Sequence, residues 1–460
     1  MNKPHHDGAT AAGGASAPRQ VLDLKDAVAL SVGIIVGTGI FKAPSLVAKF
    51  SGSAEAMMAA WVLGGIVSIL GALCYAELAT SRPNAGGEYH FLERAFGHDI
   101  ARLFAWARMT VIASGSIAIF AFVFADYATQ LVRLGDYSSS IYAALIIVVL
   151  TAVNIIGIDA GKRTQNWFTV VEVLGLVAII AAGFFFARPD VAAPAAAAVA
   201  AAAPAAGGAS ISMFGLAMVF VLLTYGGWND AAYLSAEIKD PNRNISRSLL
   251  FGLGLVTGLY LLVSLAYLSG LGIEGMAKSE AVASDLLTRA WGSTGGHLIA
   301  IIVAVAALTS ANATILTGGR TAYALGRDWP MFRFLGHWDG KRGVPRNAMI
   351  VQSLIALALV MLGTITRKGF ETMVDYTAPV FWLFFFLTGM TLFVFRRWEP
   401  AASRPFRVPF YPVTPLVFCG VCIYMLYSSL AYTGKGALVG VGVLAVGAIL
   451  VLWSPGRASR

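Results

Sequence analysis

Charge is what this 460-residue chain has least of: Asp, Glu, Lys and Arg together make up 12% of it, about half the share of a soluble globular domain. Cysteine is nearly absent as well. Cys74, Cys419 and Cys422 all sit inside apolar segments, and no further Cys or His stands near Cys419-x-x-Cys422 to complete a redox or metal motif. They read as buried packing residues. The six histidines, His5, His6, His90, His98, His297 and His337, show no ligand spacing, so neither a metal nor a cofactor is expected. The alternating ten-residue segments of a membrane β-barrel are missing. So is any convergent set of nucleophile, acid–base or metal residues, which argues against an enzyme.

What the chain has is apolar length. It is 58% hydrophobic with a mean hydropathy of +0.73, and runs of about 20 apolar residues recur throughout, the signature of membrane-spanning helices. Twelve spans are expected, centred near Val36, Ile66, Ala118, Val148, Leu176, Val221, Leu259, Val305, Ala358, Phe385, Cys422 and Leu444. The fold class is therefore an all-α polytopic membrane protein, with the lipid bilayer as its surroundings. The net charge of +9 does not mark a nucleic-acid binder, because the cations collect in alternate connections. Those after spans 2, 4, 6, 8 and 10 are Arg- and Lys-rich, the last carrying Arg396, Arg397, Arg404 and Arg407. The opposite loops hold few cations, Lys42, Lys49 and Arg133 among them. The positive-inside rule then places both termini in the cytoplasm.

Residues 1–20 are polar and lack a signal-peptide core; they are expected to be a disordered cytoplasmic tail. "ARPDVAAPAAAAVAAAAPAAGGAS" (187–210) is apolar enough to mimic a span, but Pro189, Pro204, Gly207 and Gly208 interrupt it. It is assigned as an Ala-rich extracytoplasmic loop. The expected organisation is a core over 21–400 (helices 1–10), then helices 11 and 12 with a short cytoplasmic C-terminus over 401–460.

Two spans carry glycines at mid-depth, where an unpaired backbone group costs several kcal/mol. "SVGIIVGTGIFKAP" (31–44) places Gly37, Thr38 and Gly39 inside span 1, and "FVLLTYGGWNDAAY" (220–233) places Gly226 and Gly227 inside span 6. These are the first members of two five-span halves, and interrupted helices at corresponding positions point to a transporter binding site. Free N–H groups at Thr38 and Gly39 suit a carboxylate at a helix N-terminus. Carbonyls released from Ile35, Leu223 and Gly226 suit an ammonium. The pair makes a receptor for the head group of an α-amino acid. Tyr225, Trp228 and Asn229 beside the second break complete the candidate site. The competing explanation is close helix packing through small residues.

With "VGIIVGTGIF", "YGGWND", "AEIKDPNRNISRSL", "CYAELATSRPNAGGEYHFLERAFG" and "TSANATILTGGRTAYALGRD" in view, residues from about 22 to 400 resemble the amino acid–polyamine–organocation superfamily. Within it they resemble the L-type amino acid transporter branch. The resemblance implies a five-plus-five inverted repeat with broken helices 1 and 6, and alternating access by rocking. It implies a secondary transporter of L-amino acids in the inner (plasma) membrane, by exchange or proton symport. A polyamine or organic amine carrier of the same fold is the alternative, and an ion channel the alternative of another class. No cysteine lies in the loop 133–140, so a disulfide-linked heavy subunit, as in animal members, is not expected.

The gating aromatic that the family has on helix 6 is replaced by Leu223. Glu172 stands where the family usually has a lysine, and Arg108 where many L-type members have a glutamate. That looks like a charge swap, with Arg108–Glu172 as an intramembrane ion pair or Glu172 as a carrier of a coupling proton. Asn312 is either a cavity donor or an interhelical hydrogen-bonding group. Glu77 is expected to pair with a loop arginine, and Glu88 and Tyr89 to order the connection after span 2.

Overall fold

The computed structural model describes residues 23–82, 87–156, 162–186, 211–231, 238–340, 342–431 and 434–454. The expected tail 1–20 and the expected loop 187–210 lie outside these residues. Among the described residues, nine helices are long and apolar enough to cross a membrane. They are Ala54–Ser81 (span 2), His98–Leu131 (span 3), Ser138–Ile156 (span 4), Arg243–Lys278 (span 7) and Val282–Asp328 (span 8), followed by Arg346–Thr366, Gly369–Trp398, Val413–Ala431 and Lys435–Trp453 (spans 9 to 12). Three more segments complete the twelve. Span 5 is Lys162–Phe185; span 1 is split into Leu24–Ile35 and Gly39–Ser51; span 6 is split into Ile211–Thr224 and a short turn of helix, Trp228–Ala231. Helices are the form an apolar chain takes in lipid, since each satisfies its own backbone.

The packing is paired. The second half of span 1 lies on the first half of span 6, span 2 on span 7, span 3 on span 8 and span 4 on span 9, so each meets the span five places later. This is the contact pattern of two related halves. Small residues bring spans 2 and 6 together: a Cβ on Gly64 would run into Val221 Cγ1, and one on Gly71 would stand 2.6 Å from Trp228 Cη2. Span 3 winds as a π-helix over Arg108–Ala113. Backbone groups released there are taken up by neighbours: the Ser114 hydroxyl donates to Met109 O at 2.8 Å and the Tyr376 hydroxyl to Thr110 O at 3.0 Å.

The end of the bundle carrying the Arg-rich connections, called here the basic end, is organised around Glu77. This carboxylate is buried and takes a two-pronged bond from Arg396, Nε to Oε1 at 2.8 Å and Nη2 to Oε2 at 2.6 Å. It also accepts the Val408 N–H at 2.7 Å, while Arg404 stands 3.6 Å away. Glu77 therefore pairs with arginines near the connection after span 10, as expected. At the opposite end Phe50 stacks on Phe220, 5.6 Å between ring centres, and Lys49 reaches Glu371 at 3.5 Å. Lys42 is no loop cation. It sits within the second half of span 1, buried, and binds Asp126 of span 3 at 2.7 Å and Glu280 O at 2.6 Å. An ammonium taken from water needs such partners, which sequence position alone does not reveal.

Candidate functional site

Span 1 stops being helical at residues 36–38 and restarts at Gly39. The N–H groups of Thr38, Gly39 and Ile40 find no acceptor among the described residues. Thr38 is buried, and its hydroxyl too lacks a partner there. The new helix thus presents donors and the positive end of its dipole to a buried polar spot. Gly37 faces open space, whereas a Cβ on Gly39 would meet Cα, Cγ2 and Oγ1 of Thr224 at 3.2 Å. Gly39 consequently serves close packing between the two broken spans as well as the break itself.

Span 6 opens after Thr224. Its Tyr225 N–H still reaches Val221 O at 3.0 Å, Gly226 N–H turns back to Leu223 O at 3.0 Å, and Gly227 takes φ = 100°, a conformation that a residue with a Cβ rarely adopts. The carbonyls expected to be free are partly engaged. Leu223 O holds Gly226 N–H, and Ile35 O receives the hydroxyl of Tyr260 at 3.0 Å. That same hydroxyl lies 3.2 Å from Thr224 O. Tyr260, on span 7, joins the two breaks. Sequence reasoning passed over it, because a tyrosine within an apolar run carries no motif; its only signal is a polar atom at mid-depth.

Behind the breaks sits an aromatic cluster. The Tyr225 hydroxyl donates to Trp61 O at 3.0 Å, and the rings of Trp61, Tyr225 and Tyr260 pack with centres 5.1–6.0 Å apart. Tyr225 is fully buried and braces the break from behind. Trp228, also buried, meets the Tyr75 ring edge-on at 5.0 Å and lies 5.5 Å from that of Phe385. Asn229 is buried within the turn Trp228–Ala231, and Leu223 is half-buried. Asn312 resolves to an interhelical bond: Asn154 Nδ2 of span 4 donates to its Oδ1 at 2.7 Å.

Arg108 and Glu172 do not form the expected pair. Arg108 binds Glu88 at 3.2 Å, and the Tyr75 hydroxyl donates to the other oxygen of Glu88. Glu88 thus links the connection after span 2 to the ring that supports Trp228. Glu172 is buried on span 5 within electrostatic reach of Tyr260. It has no ion pair or hydrogen bond among the described residues. Opposite signs at two chain positions do not by themselves create a contact; here the start of the helix at Glu88 lies closer to Arg108. The cysteines are free and buried.

Fold and site together define a class: a multi-span helical membrane protein whose polar site is built from two broken helices facing each other. A protein-family model described as amino acid permease matches residues 22–453, and the chain belongs to that family, a transporter and not an enzyme. Over 407 residues it is 30% identical to b(0,+)-type amino acid transporter 1 of Mus musculus, covering 88% of this chain and 81% of that one. It is 28% identical over 445 residues to large neutral amino acids transporter small subunit 2 of the same organism, covering 94% and 81%. Serine/threonine exchanger SteT of Bacillus subtilis (strain 168) is 26% identical over 415 residues, covering 90% and 91%.

Proposed function

We propose that the protein carries L-α-amino acids across the cytoplasmic membrane by alternating access, with exchange as its basic mode. The observation that carries the reading is the set of open N–H groups at Thr38, Gly39 and Ile40, which suit the substrate carboxylate. Remaining lone pairs on Ile35 O and Thr224 O, held side by side through Tyr260, suit its ammonium. Leu223 in place of an aromatic leaves more room above the side chain. In this reading the protein lies in the inner (plasma) membrane with both termini cytoplasmic, an orientation that the arginine-rich basic end supports. Residues 187–210 lie on the far side in this reading. Cysteines introduced at Ala196 and Ala202, in a background without the native three, should then react with an impermeant maleimide in intact cells.

The test of function is counterflow in proteoliposomes. A panel of L-amino acids should exchange with one another, and a carboxyl-amidated amino acid should compete poorly. Equal competition by the amide would instead favour a carrier of amines or polyamines. Glu172 is the feature that supports a second mode, proton symport: it is buried, acidic and unpaired among the described residues, within electrostatic reach of the hydroxyl that joins the two breaks.

A further inference from the structure

The connection between spans 10 and 11 is unusually well held for a surface loop. Arg404 donates to Phe395 O, Glu399 O, Pro400 O and Ala402 O at 2.7–3.3 Å, folding the chain back on the end of span 10. Glu77 holds the connection at both its ends, accepting Arg396 with both carboxylate oxygens and the Val408 N–H with Oε2. Arg396 also stacks 3.7 Å above the Tyr411 ring, and Glu399 is engaged by Arg82 and Arg94. The arginines on each side of this clamp are different. Arg397, next to Arg396, and Arg407, next to Val408, are exposed and have no ion pair or hydrogen bond among the described residues. Each is followed within a few residues by an outward aromatic: Trp398 is 66% exposed and Phe410 84% exposed. Phe410 moreover has φ = 55°, a backbone setting that a bulky residue rarely adopts.

We infer that this rigid connection is a binding site for an anionic phospholipid. Arg397 and Arg407 take the phosphate-bearing headgroup, while Trp398 and Phe410 lie at the boundary between headgroups and acyl chains. The charge balance selects the occupant. Arg82, Arg94, Arg396 and Arg404 are used on Glu77 and Glu399, and the two arginines left over are flanked by rings suited to the membrane interface. Basic clusters of this kind beside transmembrane helices attract acidic lipid, with about a fivefold gain in affinity for each arginine. A bound lipid would hold the ends of spans 10 and 11 against Glu77 of span 2, and would do so whichever substrate is carried.

The purified full-length protein, in detergent, can be melted while short-chain phosphatidylglycerol or phosphatidylcholine is titrated in. Phosphatidylglycerol should raise Tm saturably, phosphatidylcholine should not, and added salt should weaken the effect. Arg397→Gln with Arg407→Gln should shift the midpoint roughly 25-fold to higher lipid, whereas Arg133→Gln at the opposite end should leave it in place. Because neither residue of the double variant bonds to the fold, its lipid-free Tm should match the wild type. Equal stabilisation by both lipids, an unshifted midpoint in the double variant, or full replacement of the lipid by inorganic phosphate would each overturn the assignment.

Discussion

Tyr260→Phe removes one oxygen and tests whether the two breaks work as a unit. The hydroxyl is fully buried and lies between Ile35 O at 3.0 Å and Thr224 O at 3.2 Å. It has one proton to share between them. The phenylalanine ring keeps the packing on Trp61 and Tyr225, whose centres are 5.8 and 5.1 Å away, so no cavity forms. What is lost is the shared donor, leaving two carbonyls short of a partner away from bulk water, for which about 1–3 kcal/mol is the usual range. The released segments at 36–38 and 225–227 then have more conformations to choose from before substrate can bind. Since 1.4 kcal/mol is tenfold, substrate affinity should fall by roughly five- to a hundredfold. Tyr225→Phe is the matched control. Its hydroxyl bonds Trp61 O behind the site, so it should lower Tm comparably while affecting affinity less. The assay is substrate binding to purified protein beside counterflow, with melting on the same samples. Wild-type affinity and wild-type Tm in Tyr260→Phe would refute the coupling, and an equal affinity loss in both variants would reduce it to general loosening.

Glu77→Gln should be severe, because it leaves the Arg396 charge without its carboxylate and replaces one of the two oxygens that accept Arg396 and the Val408 N–H by an NH2 donor; breaking a buried pair costs roughly 3–5 kcal/mol, read as a large drop in Tm, and a wild-type melt would contradict the hub. Gly39→Val should push the halves of spans 1 and 6 apart, since its Cβ alone meets Thr224 at 3.2 Å. Overpacking of about 1–3 kcal/mol predicts weaker substrate binding in a protein that still purifies as a single species, with Gly39→Ala milder; unaltered binding in the valine variant would remove Gly39 from the site. Glu172→Gln has no cationic partner to strand among the described residues, so Tm should hold. Under proton symport, pH-driven uptake should disappear while exchange persists, and an unchanged pH–uptake profile would dismiss Glu172 as the coupling group.

Much of this architecture was legible in the chain. A sequence this poor in charge has few ways to bury its backbone in lipid, so the number and places of the spans follow from the apolar runs. The two breaks follow from glycines set where helices should continue, and Gly227 with its φ of 100° shows why that residue type was needed. Glu77, a carboxylate near a helix end, was bound to seek an arginine. Which groups meet across the bundle is another matter, because one-dimensional spacing holds no record of helix rotation. Only the packed structure puts Arg108 on Glu88 rather than Glu172, draws Lys42 inward to Asp126, and turns Asn312 to Asn154. Tyr260 makes the same point: it sits 225 residues from Ile35 in the chain, yet its hydroxyl joins the two breaks. Partners of this kind are chosen by the three-dimensional placement of helices, where a buried polar atom binds whichever complementary group the packing brings within about 3 Å.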